Sequence, residues 1–203
     1  VSQLAEGDNA WLKLERNGRI HGRVNTNGAI TGRCTHSYPN IAQVPASYSP
    51  YGKECRGLFG VGEGNKLVGV DADGLELRAL AGYMTRYDGG KYVEAAVSGS
   101  KEEGTDIHTL NMKALNINDR DTAKTWFYAF IYRAGDAKLG TILGKGSKTG
   151  SISRKRFLKN VTGLDDLTNK VKETYRRRGH LIGLDGRKLH IRSEHSSLNT
   201  LLQ

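Results

Sequence analysis

Three side chains in the middle of the sequence have the types and the spacing expected of a site for a nucleoside triphosphate. Arg120, Lys124 and Tyr128 are each four residues apart, so they share one face if the segment is helical. The two cations would hold phosphate oxygens, and the ring would lie against a base or a sugar. Tyr132 extends the same row. The spacing alone is more typical of a solvated helix face whose cations happen to align, so both interpretations remain open at this point.

A group of carboxylates lies further upstream. Asp71 ends the run Lys66–Asp71, which predicts a buried strand, and Leu75–Met84 has a helical period. Asp73 and Glu76 lie close to Asp71 in the sequence. A carboxylate at the end of a strand, near the positive N-terminus of a helix, suits Mg²⁺, which needs only one or two protein carboxylates beside substrate phosphates. The alternative role for Asp71 is a turn or helix-capping aspartate.

The charge balance favours a polyanionic partner. The chain has 31 Lys and Arg against 21 Asp and Glu, a net charge of +10. Neutralising nucleic-acid phosphates releases condensed counterions, which would explain the excess. The alternative is a basic protein whose charge only keeps it dispersed. No apolar run approaches the length of about 20 residues that spans a bilayer, and Cys34 and Cys55 have no metal-ligand spacing.

The elements that must position these residues can be predicted from periodicity and turn signals. Short strands and turns are expected in the first third of the chain, and a helix opens at Asp106–Thr109. Asn118-Asp119 would cap a helix over Arg120–Tyr132, with Gly135 as its terminator. The remaining expectations are a flexible stretch at Gly140–Gly150, helices at Ser153–Asn160 and Leu164–Arg178, a β-hairpin at Leu181–Ile191 around Asp185-Gly186, and a final helix from Glu194.

Four ordered segments resemble motifs of family A DNA polymerases, the bacterial polymerase-I-like enzymes. The resemblance covers nearly the whole chain and is closest to the replicative polymerases of short-tailed phages. Val70–Arg78 is similar to motif A, and Arg120–Tyr132 is similar to motif B, the O helix of the fingers. The other two segments resemble the primer-template grip and the stretch that leads into motif C: Thr31–Arg33 with Pro39–Pro45, and Gly183–Lys188 with His195–Gln203.

The resemblance implies a role for each matching residue. Asp71 would bind two Mg²⁺ ions, with the Ala72 carbonyl joining one of them. Arg120 and Lys124 would hold the triphosphate, with His108 at its far end. The remaining implied roles are Tyr128 beside the sugar, Tyr132 beneath the templating base, Glu76 excluding the ribose 2′-hydroxyl, and primer-template contacts by Arg33, Asn40, Gln43, His195, Asn199 and Gln203.

The fold that the resemblance implies is α+β, a polymerase palm with an antiparallel sheet and helices, plus mostly helical fingers, in an incomplete right-hand architecture. Residues 1–84 would be the N-terminal part of the palm, residues 85–180 the fingers and residues 181–203 a return to the palm. Two departures stand out: Asp73 where the family usually has Ser, and Arg133 where Gly is common. No initiator Met is present, and no His-Asp-Glu motif C follows Gln203. We therefore expect a fragment without the second catalytic aspartate, inactive until a C-terminal fragment supplies it.

The implied activity is that of a DNA-directed DNA polymerase, a nucleotidyltransferase that joins a dNTP to a primer 3′-hydroxyl by a two-metal mechanism. The expected partners are primer-template DNA, dNTP and a C-terminal polymerase fragment, without a membrane, in the cytoplasm of a phage-infected bacterium. One alternative is a polymerase remnant that binds DNA or nucleotide without catalysis. A more distant alternative is a single-subunit RNA polymerase, against which Glu76 and the upstream DNA-binding segment argue.

Overall fold

The computed structural model describes residues 2–203, which form two compact units, one ending at Ala72 and the other running from Asp73 to Gln203. The division into residues 1–84, 85–180 and 181–203 remains a prediction. Within the described residues, none of the helices has the length and apolar character needed to cross a bilayer.

The first unit is built from short elements around a small core. Trp11 is buried and meets the ring of Phe59 edge-on, at 5.3 Å between ring centroids. Asn17 and Gly18 both have positive φ, at 55° and 72°, as the tightest hairpin turns require. In chain order the elements are a π-helical turn Ser2–Glu6, α1 Trp11–Leu14, β1 Glu15–Arg16, β2 Arg19–Ile20, β3 Arg23–Asn25, β4 Thr35–Ser37, a 3₁₀ turn Ile41–Gln43 and α2 Gly52–Gly57. Strand β1 pairs with β2 and β3 with β4, both antiparallel.

The buried strand predicted over Lys66–Asp71 is wrong. The segment has no regular secondary structure, and Leu67, Val68 and Val70 are 78%, 82% and 96% exposed. A strand is stabilised by a hydrogen-bonded neighbour and by burial of its side chains. Among the described residues no strand pairs with this segment, so its apolar pattern alone does not produce a strand.

The second unit is mostly helical, as the sequence predicts. Helix α9 has the predicted bounds, and the Asp185-Gly186 turn lies between two antiparallel strands. The final segment is a 3₁₀ turn followed by a short helix, in place of one continuous helix. The elements are α3 Leu75–Asp88, α4 Lys91–Val97, α5 Ile107–Leu115, α6 Arg120–Ile131, α7 Asp136–Ile142, α8 Ser147–Asn160, α9 Leu164–Arg178, β5 Leu181–Ile182, β6 Lys188–Leu189, a 3₁₀ turn Glu194–Ser196 and α10 Ser197–Leu202.

Helix α6 is held in place by an aromatic face packed into the core. Trp126, Phe127 and Phe130 are buried, and all three rings lie within about 6 Å of the ring of Phe157 on α8. The Trp126 indole nitrogen donates to the Ser153 hydroxyl at 3.2 Å, so the one polar atom of this indole has a partner. The row Arg120, Lys124 and Tyr128 follows another face of the helix, on which Lys124 is exposed and Tyr128 is half-buried against the core.

The stretch Gly140–Gly150 is helical instead of flexible. It contains the end of α7 and the beginning of α8, which pack closely as a helical hairpin. A Cβ atom on Gly150 would lie 1.9 Å from the carbonyl oxygen of Asp136, and one on Gly140 would lie 2.1 Å from that of Gly146. These glycines are therefore required by close backbone approach, and they do not indicate a mobile loop.

Helix α6 ends at Ile131 with Tyr132 as its C-cap residue, and the predicted terminator Gly135 is instead the N-cap residue of α7. The Ala134 amide donates to the Ala129 carbonyl at 2.9 Å and the Arg133 amide to the Phe130 carbonyl at 3.0 Å, the two bonds of a Schellman motif. The motif requires a left-handed residue, and Arg133 adopts φ 65°. Its Nε and Nη2 atoms are also buried without a hydrogen-bond partner. Both the left-handed backbone and the unpaired guanidinium atoms of Arg133 therefore reduce the stability of the fold.

We expect Arg133→Gly to be more stable than Arg133→Ala by about 1 kcal/mol in the free energy of unfolding, because only the Cβ atom opposes the left-handed backbone. Both variants remove the guanidinium, so the difference between their free energies of unfolding reports only the cost of the left-handed backbone conformation. Urea denaturation of the two variants measures it. Asn116 is the control, since it holds φ 56° at the end of α5 and asparagine tolerates this conformation. Asn116→Gly should therefore increase the free energy of unfolding by less than the difference between the two Arg133 variants. An Arg133→Ala variant as stable as Arg133→Gly would contradict the account.

Candidate nucleotide-binding site

The predicted row Arg120, Lys124 and Tyr128 lies on α6, with Tyr132 at the C-terminal cap of the helix. Lys124 is exposed, and Arg120 and Tyr128 are half-buried. The rings of Tyr128 and Tyr132 are stacked with centroids 6.4 Å apart and planes 24° apart. One face of α6 thus presents two cations followed by two aromatic rings. Their ligand-binding roles remain predictions.

Arg120 is already held by a carboxylate that the sequence reasoning did not assign to the site. Asp106 caps the N-terminus of α5, and its Oδ1 accepts a hydrogen bond from Arg120 Nη2 at 2.7 Å. The pair is largely buried, with side-chain exposures of 28% for Arg120 and 12% for Asp106. The Asp-x-x-Thr pattern of Asp106 and Thr109 indicates a helix cap, but no local signal indicates a partner fourteen residues away.

The Asp106 carboxyl has a strongly lowered pKa. Burial alone would raise the pKa, but hydrogen bonds from Arg120, Thr109 and the His108 amide, together with the Arg120 charge, lower it to about 2. Asp106 is therefore ionised at neutral pH, and it ties the start of α5 to the first residue of α6.

His108 lies in the first turn of α5, with its ring centroid 6.2 Å from that of Tyr128. Burial lowers the pKa of His108, and the charges of Arg120 and Lys124 lower it further. Its Nδ1 atom is buried without a hydrogen-bond partner. The structure thus brings His108 beside the predicted triphosphate residues, in its neutral form at pH 7.

Glu76, in the first turn of α3, is joined to the far end of the row. Its Oε1 accepts a hydrogen bond from the Tyr132 hydroxyl at 3.0 Å. Burial raises the pKa of the Tyr128 hydroxyl, and the carboxylates of Glu76 and Asp73 raise it further, so this hydroxyl stays protonated and available as a donor. Residues that are distant in sequence therefore converge on one face of the second unit.

The two predicted metal-binding residues belong to the first unit, in its final exposed segment. Asp71 and Ala72 are exposed and lie outside any regular element. Within residues 2–203 no group of three or more His, Cys, Asp or Glu side chains lies close enough together to bind a metal ion. An exposed carboxylate with a neighbouring carbonyl oxygen still fits Mg²⁺, a hard cation that keeps waters and shares substrate phosphates. Asp73 approaches Arg78 at 3.9 Å.

The residues predicted to contact primer-template DNA lie in two separate places. Arg33 is exposed, Asn40 caps the 3₁₀ turn by accepting from the Ala42 amide at 3.1 Å, and Gln43 ends that turn. In the second unit His195 is exposed in the 3₁₀ turn, and Gln203 Nε2 donates to Asn199 Oδ1 at 3.1 Å.

Two basic clusters occur in the sequence, at residues 154–156 and 176–178, and part of each is used inside the protein. Arg154 pairs with Asp136 at 2.8 Å, and Arg176 forms a two-nitrogen contact with Glu194 at 2.7 and 2.6 Å. Arg177 is exposed at the C-terminus of α9. The net charge therefore overstates how many cations of these clusters are available for phosphates.

Asp106→Asn should lower the free energy of unfolding by about 2 kcal/mol at pH 7, because a shift of one pKa unit corresponds to about 1.4 kcal/mol. The folded-state pKa lies below the ordinary value of 3.8. The stabilisation is therefore complete above about pH 5 and declines as the pH falls towards 2, so the difference from the wild type should shrink below pH 4. Urea denaturation between pH 3 and pH 7 measures it. Asp119→Asn, which changes the exposed N-cap of α6, is the control and should lower the free energy of unfolding by less. Equal losses of stability in the two variants would contradict a stabilising role for the Asp106–Arg120 pair.

Known proteins resemble the chain in sequence and in fold. The family described as DNA polymerase family A matches residues 8–202. The DNA-directed DNA polymerases of Enterobacteria phage T3 and Escherichia phage T7 are each 44% identical to it, over 100% of this chain and 31% of their own length. The chain thus spans about a third of these relatives. A solved structure described as the POL domain of Pol1 from M. smegmatis in complex with DNA primer-template and dNTP has a TM-score of 0.75 at 22% identity, over 96% of this chain and 36% of that one.

The family match extends over the O-helix segment with its row of cations and rings, and over the motif A segment around Asp71. The α+β architecture agrees with that of the polymerase domain. The chain belongs to DNA polymerase family A.

Proposed function

We propose that the protein provides the nucleotide-binding part of a DNA polymerase that extends a primer on a template. In the reaction, the primer 3′-hydroxyl attacks the α-phosphate of a dNTP in line, the bond to the bridging oxygen breaks, and pyrophosphate leaves. The observation that carries the proposal is the exposed face of α6, where Arg120, Lys124 and Tyr128 lie together with His108 beside them.

The chemistry assigned to this face is positioning and charge stabilisation. Lys124 and Arg120 would hold phosphate oxygens and offset the negative charge that develops on the leaving pyrophosphate. His108 would donate to the far end of the triphosphate from its ring. The phosphate charge would favour protonation of His108, opposing the lowering of its pKa by burial and by the two cations.

The aromatic end of the row is assigned to the sugar and the base. Tyr128 would lie beside the deoxyribose, and Tyr132 would lie beneath the position of the templating base. Glu76, held by the Tyr132 hydroxyl at 3.0 Å, would fill the space beside the sugar C2′ atom. Its carboxylate would then exclude a ribonucleotide through steric conflict with the 2′-hydroxyl.

Asp71 and the Ala72 carbonyl would hold the two Mg²⁺ ions together with substrate phosphates. The ions supply Lewis-acid stabilisation of the attacking and leaving oxygens when bound. A second carboxylate is proposed to come from polymerase residues other than the 203 of this chain, because these contain no His-Asp-Glu sequence. The primer-template is assigned to Arg33, Asn40, Gln43, His195, Asn199 and Gln203, mainly through the minor groove, whose acceptors are common to all base pairs. The complex would act in the host cytoplasm.

The first test is reconstitution. When the chain is combined with a C-terminal polymerase fragment carrying motif C and with a thumb, we expect Mg²⁺-dependent primer extension. Asp71→Asn should reduce the rate at least about a hundredfold, because a neutral amide holds a divalent cation poorly. Asp73→Asn is the matched control and should retain extension.

Two results of this experiment would count against the proposal. Extension that survives Asp71→Asn would remove Asp71 from the metal site. An assembly that binds both DNA and dNTP but extends no primer would favour the alternative function, a polymerase remnant that binds without catalysis.

The second test concerns sugar selection. In the reconstituted enzyme, Glu76→Ala should raise ribonucleotide incorporation relative to deoxyribonucleotide by about 10- to 100-fold, since a steric contact is removed. Glu76→Gln keeps the bulk and an acceptor for the Tyr132 hydroxyl, and it should change the ratio little. Tyr132→Phe removes only the hydrogen bond and should have an intermediate effect. The incorporation ratio from primer extension is the measurement, and identical ratios for the wild type and Glu76→Ala would show that Glu76 does not lie beside the sugar.

A further inference from the structure

We infer that Asp106 is a positioning residue for nucleotide binding, which fixes the Arg120 guanidinium and the first turn of α5 in the arrangement that receives a triphosphate. The inference rests on the proposed function and adds to it a residue from outside the motifs that carry the family resemblance. It concerns how the site is organised before the nucleotide arrives.

The Asp106 carboxylate is fully engaged by groups from both helices. Its Oδ1 accepts from Arg120 Nη2 at 2.7 Å and from the His108 amide at 3.0 Å. Its Oδ2 accepts from the Thr109 hydroxyl and, at 3.5 Å, from Arg120 Nε. Asp106 is only 8% exposed, so a shift of this side chain would break several buried hydrogen bonds together.

This contact uses one edge of the Arg120 guanidinium and leaves another edge for a ligand. Nε and Nη2 face Asp106, and Nη1 lies on the other side of the planar group. A free arginine would lose rotamer freedom on binding, and this loss would weaken binding by about threefold to tenfold. Asp106 avoids this loss of rotamer freedom because it already fixes the Arg120 side chain before the nucleotide binds.

The negative charge of Asp106 should affect nucleotide affinity in the opposite direction to its positioning of Arg120. An ionised carboxylate beside Arg120 reduces the positive potential that attracts a triphosphate. If charge alone governed binding, removing it would strengthen the affinity for the nucleotide. If positioning governs, removing it weakens that affinity. The sign of the change therefore distinguishes the two accounts.

The chain contains a matched control for the capping role of Asp106. Asp119 caps α6 as Asp106 caps α5, and its carboxylate likewise accepts from the residue three positions later, the Thr122 amide at 2.9 Å and the Thr122 hydroxyl. Asp119 precedes Arg120 in sequence, but no ion pair or hydrogen bond joins their side chains among those found in the described residues. The same change at Asp119 thus alters a helix cap in the same way without loss of the arginine contact.

The test is the affinity of the purified 203-residue chain for dTTP with Mg²⁺, measured by calorimetry up to millimolar concentrations at a temperature where circular dichroism shows every variant to be folded. Asp106→Asn, which keeps an acceptor for the cap, should weaken dTTP binding by about threefold to tenfold. Asp119→Asn should leave it unchanged. In an Arg120→Ala background, Asp106→Asn should have no further effect, because the partner that it positions is gone.

The outcomes separate this inference from the proposed function. A wild-type chain that does not bind dTTP overturns the proposed nucleotide site, and the inference falls with it. A wild-type chain that binds dTTP, with Asp106→Asn binding equally or more tightly, overturns the inference alone. Equal weakening by Asp106→Asn in the wild-type and Arg120→Ala backgrounds also overturns it, since the effect would then not pass through Arg120.

Discussion

The burial of the aromatic face of α6 is the constraint on which the candidate site depends. Trp126, Phe127 and Phe130 pack against Phe157, and this fixes the rotation of the helix about its axis. Since residues four apart share a face, the row that begins at Arg120 must then lie on a different and more exposed side of the helix. The core thus decides on which side of α6 the cations and the tyrosines lie.

The ends of α6 are fixed by different means. Asp106 holds the first residue through its carboxylate, whereas a Schellman motif with Arg133 in a left-handed conformation closes the last turn. Beyond it, the close approach of α7 and α8 at Gly140 and Gly150 places Phe157 against the aromatic face. Small residues where backbones touch and large residues where side chains touch are two parts of the same packing arrangement.

The sequence predicts α3, α5, α6 and α9 because their apolar period and caps are local signals, whereas it gave no prediction for α4 and α7. It predicts the α6 row for the same reason. The Arg120–Asp106 pair was not predicted, since nothing local joins residues of different helices. The Gly140–Gly150 stretch was misread because glycine content indicates flexibility and close packing equally. The strand over Lys66–Asp71 was wrong because pairing with a neighbour, which the apolar pattern does not encode, decides whether such a segment becomes a strand.

The ion pairs change how the positive charge of the chain should be interpreted. Arg154 and Arg176 neutralise carboxylates of their own unit, so they contribute more to local structure than to the attraction of a polyanion. Arg120 is likewise held by a carboxylate through Nε and Nη2, but it lies in one row with Lys124 and Tyr128 on α6, so its pairing fixes the plane of a guanidinium that belongs to the proposed site. A carboxylate can therefore reduce the charge of a binding site and still improve its geometry. Since Coulomb attraction acts over distance while hydrogen bonds depend on orientation, exposed lysines such as Lys124 suit the first role and a fixed arginine suits the second.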